Sequence, residues 1–268
     1  MSGQAQGRKI AIIGSSGQVG QPTRIEVTST FPPEVIAKSG NLKDESFLAS
    51  TFQGHDAVVL MPPLPQLVSL QEPAVRAAAK AGVPYILPAE FGPDPFASKL
   101  IRGNQLLQDK KKIRDLIEEL GVSSWISVAV GPFLDMNIKS DLWGIDVENG
   151  KATIWTGAVG MINTSSVAQT GQATAAKELL QAVQKATGMA DQDWEIDYQD
   201  VNDALKDCND KIQQKDATAP FVKFFLTHFR EGSGGYFESK VNASEVKKLH
   251  EIGLQKEAVD DVLKRTVS

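Results

Sequence analysis

Two stretches of this chain carry residue types at spacings that could do chemistry. The first is Gly14-Ser15-Ser16-Gly17-Gln18-Val19-Gly20, which follows the apolar run Ile10-Ala11-Ile12-Ile13 directly. A glycine at every third position lets a chain leaving a strand turn tightly, brings backbone N–H groups close to a pyrophosphate, and points a helix N-terminus at its charge. A plain strand-to-helix turn could use the same spacing in a chain with 22 glycines. Its place after the first strand favours the phosphate reading, because the first βα turn holds that site in sheets of this kind. The second stretch is Lys110-Lys111-Lys112, at the front of an amphipathic run. A lysine moves protons near neutral pH only if desolvation or its surroundings lower its pKa. The alternative is a solvated helix face beside Asp109. Successive lysines lie about 100° apart around a helix, so only one of the three can point into a cleft.

Other candidates have blander readings alongside the functional ones. Glu90, just after an apolar run, could orient a substrate or pair with a lysine, or simply cap a turn, and Asp94 shares that ambiguity. Phe133, Trp143, Trp155 and Met161 could line an aromatic pocket, although aromatic residues serve as core more often than as ligand contacts. His55 reads as a residue of a surface turn. His228, amid Phe224, Phe225 and Phe229, reads as packed and hydrogen-bonded. The three histidines and one cysteine offer no metal-ligand spacing, and Ser15 and Ser16 lack a Gly-x-Ser-x-Gly elbow.

The elements that must position these residues alternate in type. Strand-like runs at 9–13, 34–38, 57–61, 84–87 and 124–130 are separated mostly by helical patterns at 72–81 and 105–120, ended by Gly82 and Gly121. Such alternation predicts an α/β fold with a parallel sheet. Beyond about residue 135 the pattern predicts a smaller lobe, with a strand at 151–155, a loop-like stretch at 157–164, a long helix over 166–185, a polar helix-prone segment over 191–219 and an aromatic-rich helix at 221–229. With 268 residues, 41% of them hydrophobic, the chain can bury a large core. Its net charge of -5 without a long basic run argues against a nucleic-acid partner. A lone Cys208 excludes an intrachain disulfide and fits a reducing compartment. No apolar run approaches the roughly 18 residues of a membrane span. The N-terminus is polar, and the expectation is a cytoplasmic protein.

Taken in order, four segments resemble the NmrA-like and isoflavone-reductase-like proteins, atypical short-chain dehydrogenases, over most of the chain. They are Gly14-x-x-Gly17-x-x-Gly20, Pro88-Ala89-Glu90-Phe91-Gly92-x-Asp94, Lys110-Lys111-Lys112-Ile113-Arg114-x-x-Ile117-Glu118, and Thr227-His228-Phe229-Arg230-Glu231-Gly232. The resemblance implies a Rossmann-like, doubly wound parallel sheet over 1–135 and a C-terminal α+β substrate lobe over 136–268. It implies NADPH as cofactor, no metal, a small-molecule substrate, and a monomer or homodimer. The implied activity is reduction of a small carbonyl or conjugated metabolite, in secondary metabolism; the alternative is a non-catalytic NAD(P)-sensing regulator, as NmrA itself is. By the same resemblance Gly14, Ser16, Gly17, Gln18, Val19 and Gly20 hold the pyrophosphate. Arg24 meets the 2′-phosphate, Asn41 faces the adenine, Phe91 lies beside the nicotinamide, and Lys110 is the general acid or base. Glu90, Phe133 and Trp143 are the candidate substrate contacts.

One departure stands out. Relatives place roughly twenty residues between the last loop glycine and the basic residue, in keeping with the spacing in ordinary dinucleotide units. Here only Gln21, Pro22 and Thr23 intervene. A crossover between parallel strands needs at least ten to twelve residues, so most of the first helix and part of the next strand are missing. The expected consequences are a weakened anion site and apolar sheet surface left uncovered, at about 25 cal/mol per Å2.

Overall fold

The computed structural model describes residues 7–14, 35–167, 170–174, 176–240, 243–251 and 256–267. They fall into two compact units, one from Met1–Phe91 with Leu106–Val128, the other from Gly92–Gln105 with Ala129–Ser268. Among the described residues no helix is long and apolar enough to cross a membrane.

The first unit is an α/β layer of the Rossmann kind. In chain order it contains β1 (Ile10–Ile13), α1 (Glu45–Phe52), β2 (Ala57–Leu60), α2 (Leu67–Lys80) and β3 (Tyr85–Leu87). After the excursion through α3 (Ser98–Gly103) in the second unit come α4 (Gln105–Leu120) and β4 (Ser124–Trp125). The four strands pair in sequence order and all in parallel, Ile10 opposite Ala57, Ala57 opposite Tyr85 and Tyr85 opposite Ser124. Each helix has a local reason to begin or end where it does. Asp44 caps α1 by accepting from the amides of Ser46 and Phe47. Gly82 and Gly121, both with positive φ, follow α2 and α4.

Strand alternation decides which face is covered. Ile13, Val58, Leu60 and Ile86 share one face and are buried against Leu48 and Phe52 of α1, Ala74, Val75 and Ala78 of α2, and Ile113 and Ile117 of α4. The opposite face carries Ile10, 53% exposed, Ile12, 44% exposed, and the exposed Tyr85. Right-handed crossovers stepping from β1 the other way would put their helices on that second face. The strand expected at 34–38 is not formed over 35–38, where Ile36 is largely exposed; no partner strand pairs with it among the described residues.

The second unit continues with α5 (Leu134–Lys139), β5 (Ile145–Asp146), β6 (Lys151–Thr156), β7 (Ile162–Ser165), β8 (Thr170–Thr174), α6 (Ala176–Thr187), β9 (Glu195–Asp200), α7 (Val201–Gln213), α8 (Ala219–His228), α9 (Ala243–Glu251) and α10 (Val259–Val267). A three-stranded sheet has the order β5-β6-β9, and β7 pairs antiparallel with β8. Two expectations are corrected here. The loop-like stretch at 157–164 contains the start of β7, and the helix expected over 166–185 is a strand followed by α6. The cause is antiparallel pairing of two consecutive strands, Ile162 with Thr174 and Ser165 with Thr170, which overrides local helix preference. The segment 191–219 likewise holds β9, whose Ile196 and Tyr198 alternate with polar residues, before α7 begins.

Candidate functional site

Helix α4 (Gln105–Leu120) carries the lysine cluster singled out from the sequence. Its buried residues are Leu107, Lys110, Ile113, Arg114 and Ile117, a stripe at three- and four-residue spacing. Lys110 therefore occupies a core position of the helix. Its neighbours do not: Lys111 pairs with Asp115 and Lys112 with Asp109, each at 2.7 Å on the exposed side. Helical rotation alone separates one buried lysine from two solvated ones.

Lys110 is 7% exposed, and its Nζ donates to the main-chain carbonyl of Glu90 at 2.7 Å. Glu90 follows β3 in a tight turn, its N–H donating to the Pro88 carbonyl at 2.6 Å. Gln71 of α2, itself buried, accepts from the Ala89 N–H at 2.8 Å through Oε1. The Glu90 carboxylate is buried and accepts from Arg114 Nη1 at 2.6 Å. The Arg114 guanidinium lies 5.6 Å from the ring centroid of Trp125, within cation–π range. Two cations thus converge on one residue, arginine on its side chain and lysine on its main chain.

Burial lowers the Lys110 pKa from 10.5 to about 8; the Glu90 carboxylate opposes that shift and the Arg114 charge adds to it. Desolvation is the largest of the three effects and sets the direction of the shift. An amine in this state can hold or release a proton near neutral pH.

The other predicted residues are placed as follows. Gly14 ends β1 with φ of 85°, and a Cβ there would lie 2.0 Å from the Met61 carbonyl oxygen. Ser16, Gly17, Gln18, Val19, Gly20 and Arg24 lie outside the described residues. Asn41 is exposed; its Oδ1 accepts from the Lys43 N–H at 3.0 Å, and its carbonyl accepts from Asp44 ahead of α1. Phe91 is half-buried directly after Glu90. In the second unit, Phe133 is half-buried where α5 begins, its carbonyl accepting from Asn137 Nδ2 at 2.6 Å. Trp143 is 3% exposed and packs edge-on against Phe225 and Phe229, with centroids 5.8 and 5.7 Å away. Asp94 pairs with Lys240 and accepts from the Phe96 N–H. His228 is fully buried, its Nδ1 donating to the Phe224 carbonyl at 2.6 Å.

The structure brings Lys110 and Glu90 together. It adds Arg114 and Gln71, which the sequence reading did not single out. Arg114 was visible as a polar residue four positions after Lys110 on the same apolar stripe; Gln71 gave no local signal.

A model of the NmrA-like family matches residues 22–157. The oxidoreductase aprR of Aspergillus flavus is 23% identical over 286 aligned positions, covering 90% of this chain and 94% of that protein. Leucoanthocyanidin reductase of Vitis vinifera, solved as a binary complex with NADPH, is similar with a TM-score of 0.71 at 14% identity, over 97% of this chain and 99% of that one. Isoflavone reductase is similar with a TM-score of 0.73 at 18% identity, over 97% and 99%. At these identities the structural likeness speaks for the fold. The matched span begins after the glycine-rich turn, takes in the buried lysine and its acidic partner, and covers half of the sequence: the chain belongs to the NmrA-like family.

Proposed function

We propose that the protein is an NADPH-dependent oxidoreductase that reduces a small carbonyl or conjugated metabolite of secondary metabolism, with Lys110 supplying the proton. The observation that carries this reading is a lysine held in the core beside the carboxyl end of β3, its pKa brought to about 8. The named oxidoreductase relative and the NADPH-bound neighbour support the same reaction class.

Ligands of open parallel sheets bind outside the carboxyl ends of the strands, and β1 and β3 bring Gly14 and Glu90 to that edge. The left-handed turn at Gly14, closed against Met61, fits the start of a dinucleotide loop. On this reading Gly14, Ser16, Gly17, Gln18, Val19 and Gly20 hold the diphosphate, Arg24 the 2′-phosphate, Asn41 the adenine, and Phe91 flanks the nicotinamide. The cofactor supplies a hydride to the electrophilic carbon of the substrate. Negative charge then develops on the substrate oxygen or its conjugated equivalent. A protonated lysine has three N–H donors; the Glu90 carbonyl takes one, leaving two for that oxygen. After proton transfer the neutral amine regains a proton from water.

A proton donor must be charged before the step. The rate of reduction is therefore expected to be level below about pH 8 and to fall through the lysine's pKa of about 8, by about tenfold per pH unit above it. Stopped-flow NADPH consumption across that range checks the sign; a rate that rises with pH through this window would assign Lys110 the opposite role. Failure of the purified protein to bind either NADPH or NADP+ in a fluorescence titration removes the proposal altogether.

A further inference from the structure

We infer that Arg114 is the positioning residue for Lys110, acting through Glu90: its ion pair fixes the residue whose carbonyl seats the amine and keeps the carboxylate from capturing it. The inference rests on Lys110 being the proton donor. Lys110 and Arg114 are four residues apart on α4 and both buried, so they project from one face of the helix. Both reach Glu90, Nζ to its main-chain oxygen at 2.7 Å and Nη1 to its Oε1 at 2.6 Å. The residue they share is held through its neighbour as well, because Gln71 Oε1 accepts from the N–H of the preceding Ala89.

Arginine suits this place for a physical reason. Its guanidinium stays charged at any working pH, so the buried carboxylate is neutralised whether or not Lys110 carries its proton. Without that permanent partner, Glu90 would present an unpaired carboxylate to the lysine and hold it as a fixed ammonium. The charged groups acting on Lys110 are Glu90 at the end of β3 and Arg114 on its own helix; α2 contributes the neutral Gln71. Removing either charge must move the lysine, and the two removals must move it in opposite directions. A merely structural pair would disturb packing without that sign rule.

The test is an NMR titration of the 13Cε signals of labelled lysine without cofactor, with the Lys110 signal assigned by its loss in Lys110→Arg. Wild type is expected to titrate at about 8. Glu90→Gln is expected to lower the midpoint and Arg114→Gln to raise it, each by about one unit for a close charge in a partly screened site. If Arg114→Gln does not fold, the double variant Glu90→Gln/Arg114→Gln carries no buried charge pair and is expected to titrate above Glu90→Gln alone. Shifts in the same direction, or no shift in any variant, overturn the inference. In NADPH consumption the alkaline limb should follow the NMR midpoint of each variant, with kcat changing more than KM, and Arg114→Lys should restore part of the wild-type profile. Shifts with the expected signs in a protein that consumes no NADPH would sink the reductase reading while leaving the positioning role intact.

Discussion

Lys110→Met is expected to abolish reduction and at the same time make the protein harder to unfold. Loss of a general acid costs about 100- to 10,000-fold in rate. The gain in stability follows from linkage. Folding lowers the lysine's pKa from 10.5 to about 8, so the folded state binds fewer protons than the unfolded chain between those values, and the ammonium is penalised by about 3 kcal/mol below them. Methionine keeps a similar volume without the charge. The Glu90 carbonyl loses its donor, which offsets the gain by about 1 kcal/mol. The penalty is complete below about pH 8 and fades as pH rises toward 10.5. Denaturant unfolding should thus show the variant more stable at neutral pH, with the difference vanishing in the alkaline range.

Gly14→Ala is expected to damage both stability and cofactor binding. The position has a φ of 85°, and its new Cβ would sit 2.0 Å from the Met61 carbonyl oxygen, an atom of the neighbouring strand end. The left-handed backbone alone costs an alanine about 1–2 kcal/mol. The clash requires the end of β1 to separate from β2, and the total should reach about 3–5 kcal/mol. Gly54→Ala is the matching control: it too has a positive φ, of 74°, but its Cβ would meet nothing within 4 Å, so only the backbone term applies. Thermal unfolding of the two variants separates the steric part from the conformational part. An equal loss in both would mean that β1 and β2 are not tightly joined at Met61.

Much of the first unit was legible because its signals are local. The apolar stripe and terminal glycine of α4 mark the same bounds, 105–120, in the sequence and in the fold. The β-branched runs at β1, β2 and β3 mark strands of a parallel sheet. Rotation around a helix allows only one of Lys110, Lys111 and Lys112 to point into a cleft, and the resemblance was needed to favour Lys110, which is the buried one. What escaped the sequence depends on pairing and packing that local propensity does not show. β7 and β8 exist because they pair with each other, and β9 because β6 runs beside it. Glu90 was ambiguous for a related reason, since nothing near it in sequence reveals that Arg114, 24 residues later, meets its carboxylate. The packing of Trp143 was likewise not legible locally, since Phe225 and Phe229, whose rings meet it, come some eighty residues later. The shortened connection read after the glycine-rich turn lies outside the described residues.

The most direct test of Lys110 as a proton donor beside a bound dinucleotide is to follow its 13Cε resonance while NADP+ is added to the wild-type protein. The resonance is expected to shift and saturate with the cofactor, and its titration midpoint, about 8 without ligand, to fall as the positively charged nicotinamide ring disfavours a second cation nearby. A signal that stays unmoved at saturating NADP+, or a protein that takes up no NADP+, would contradict that role.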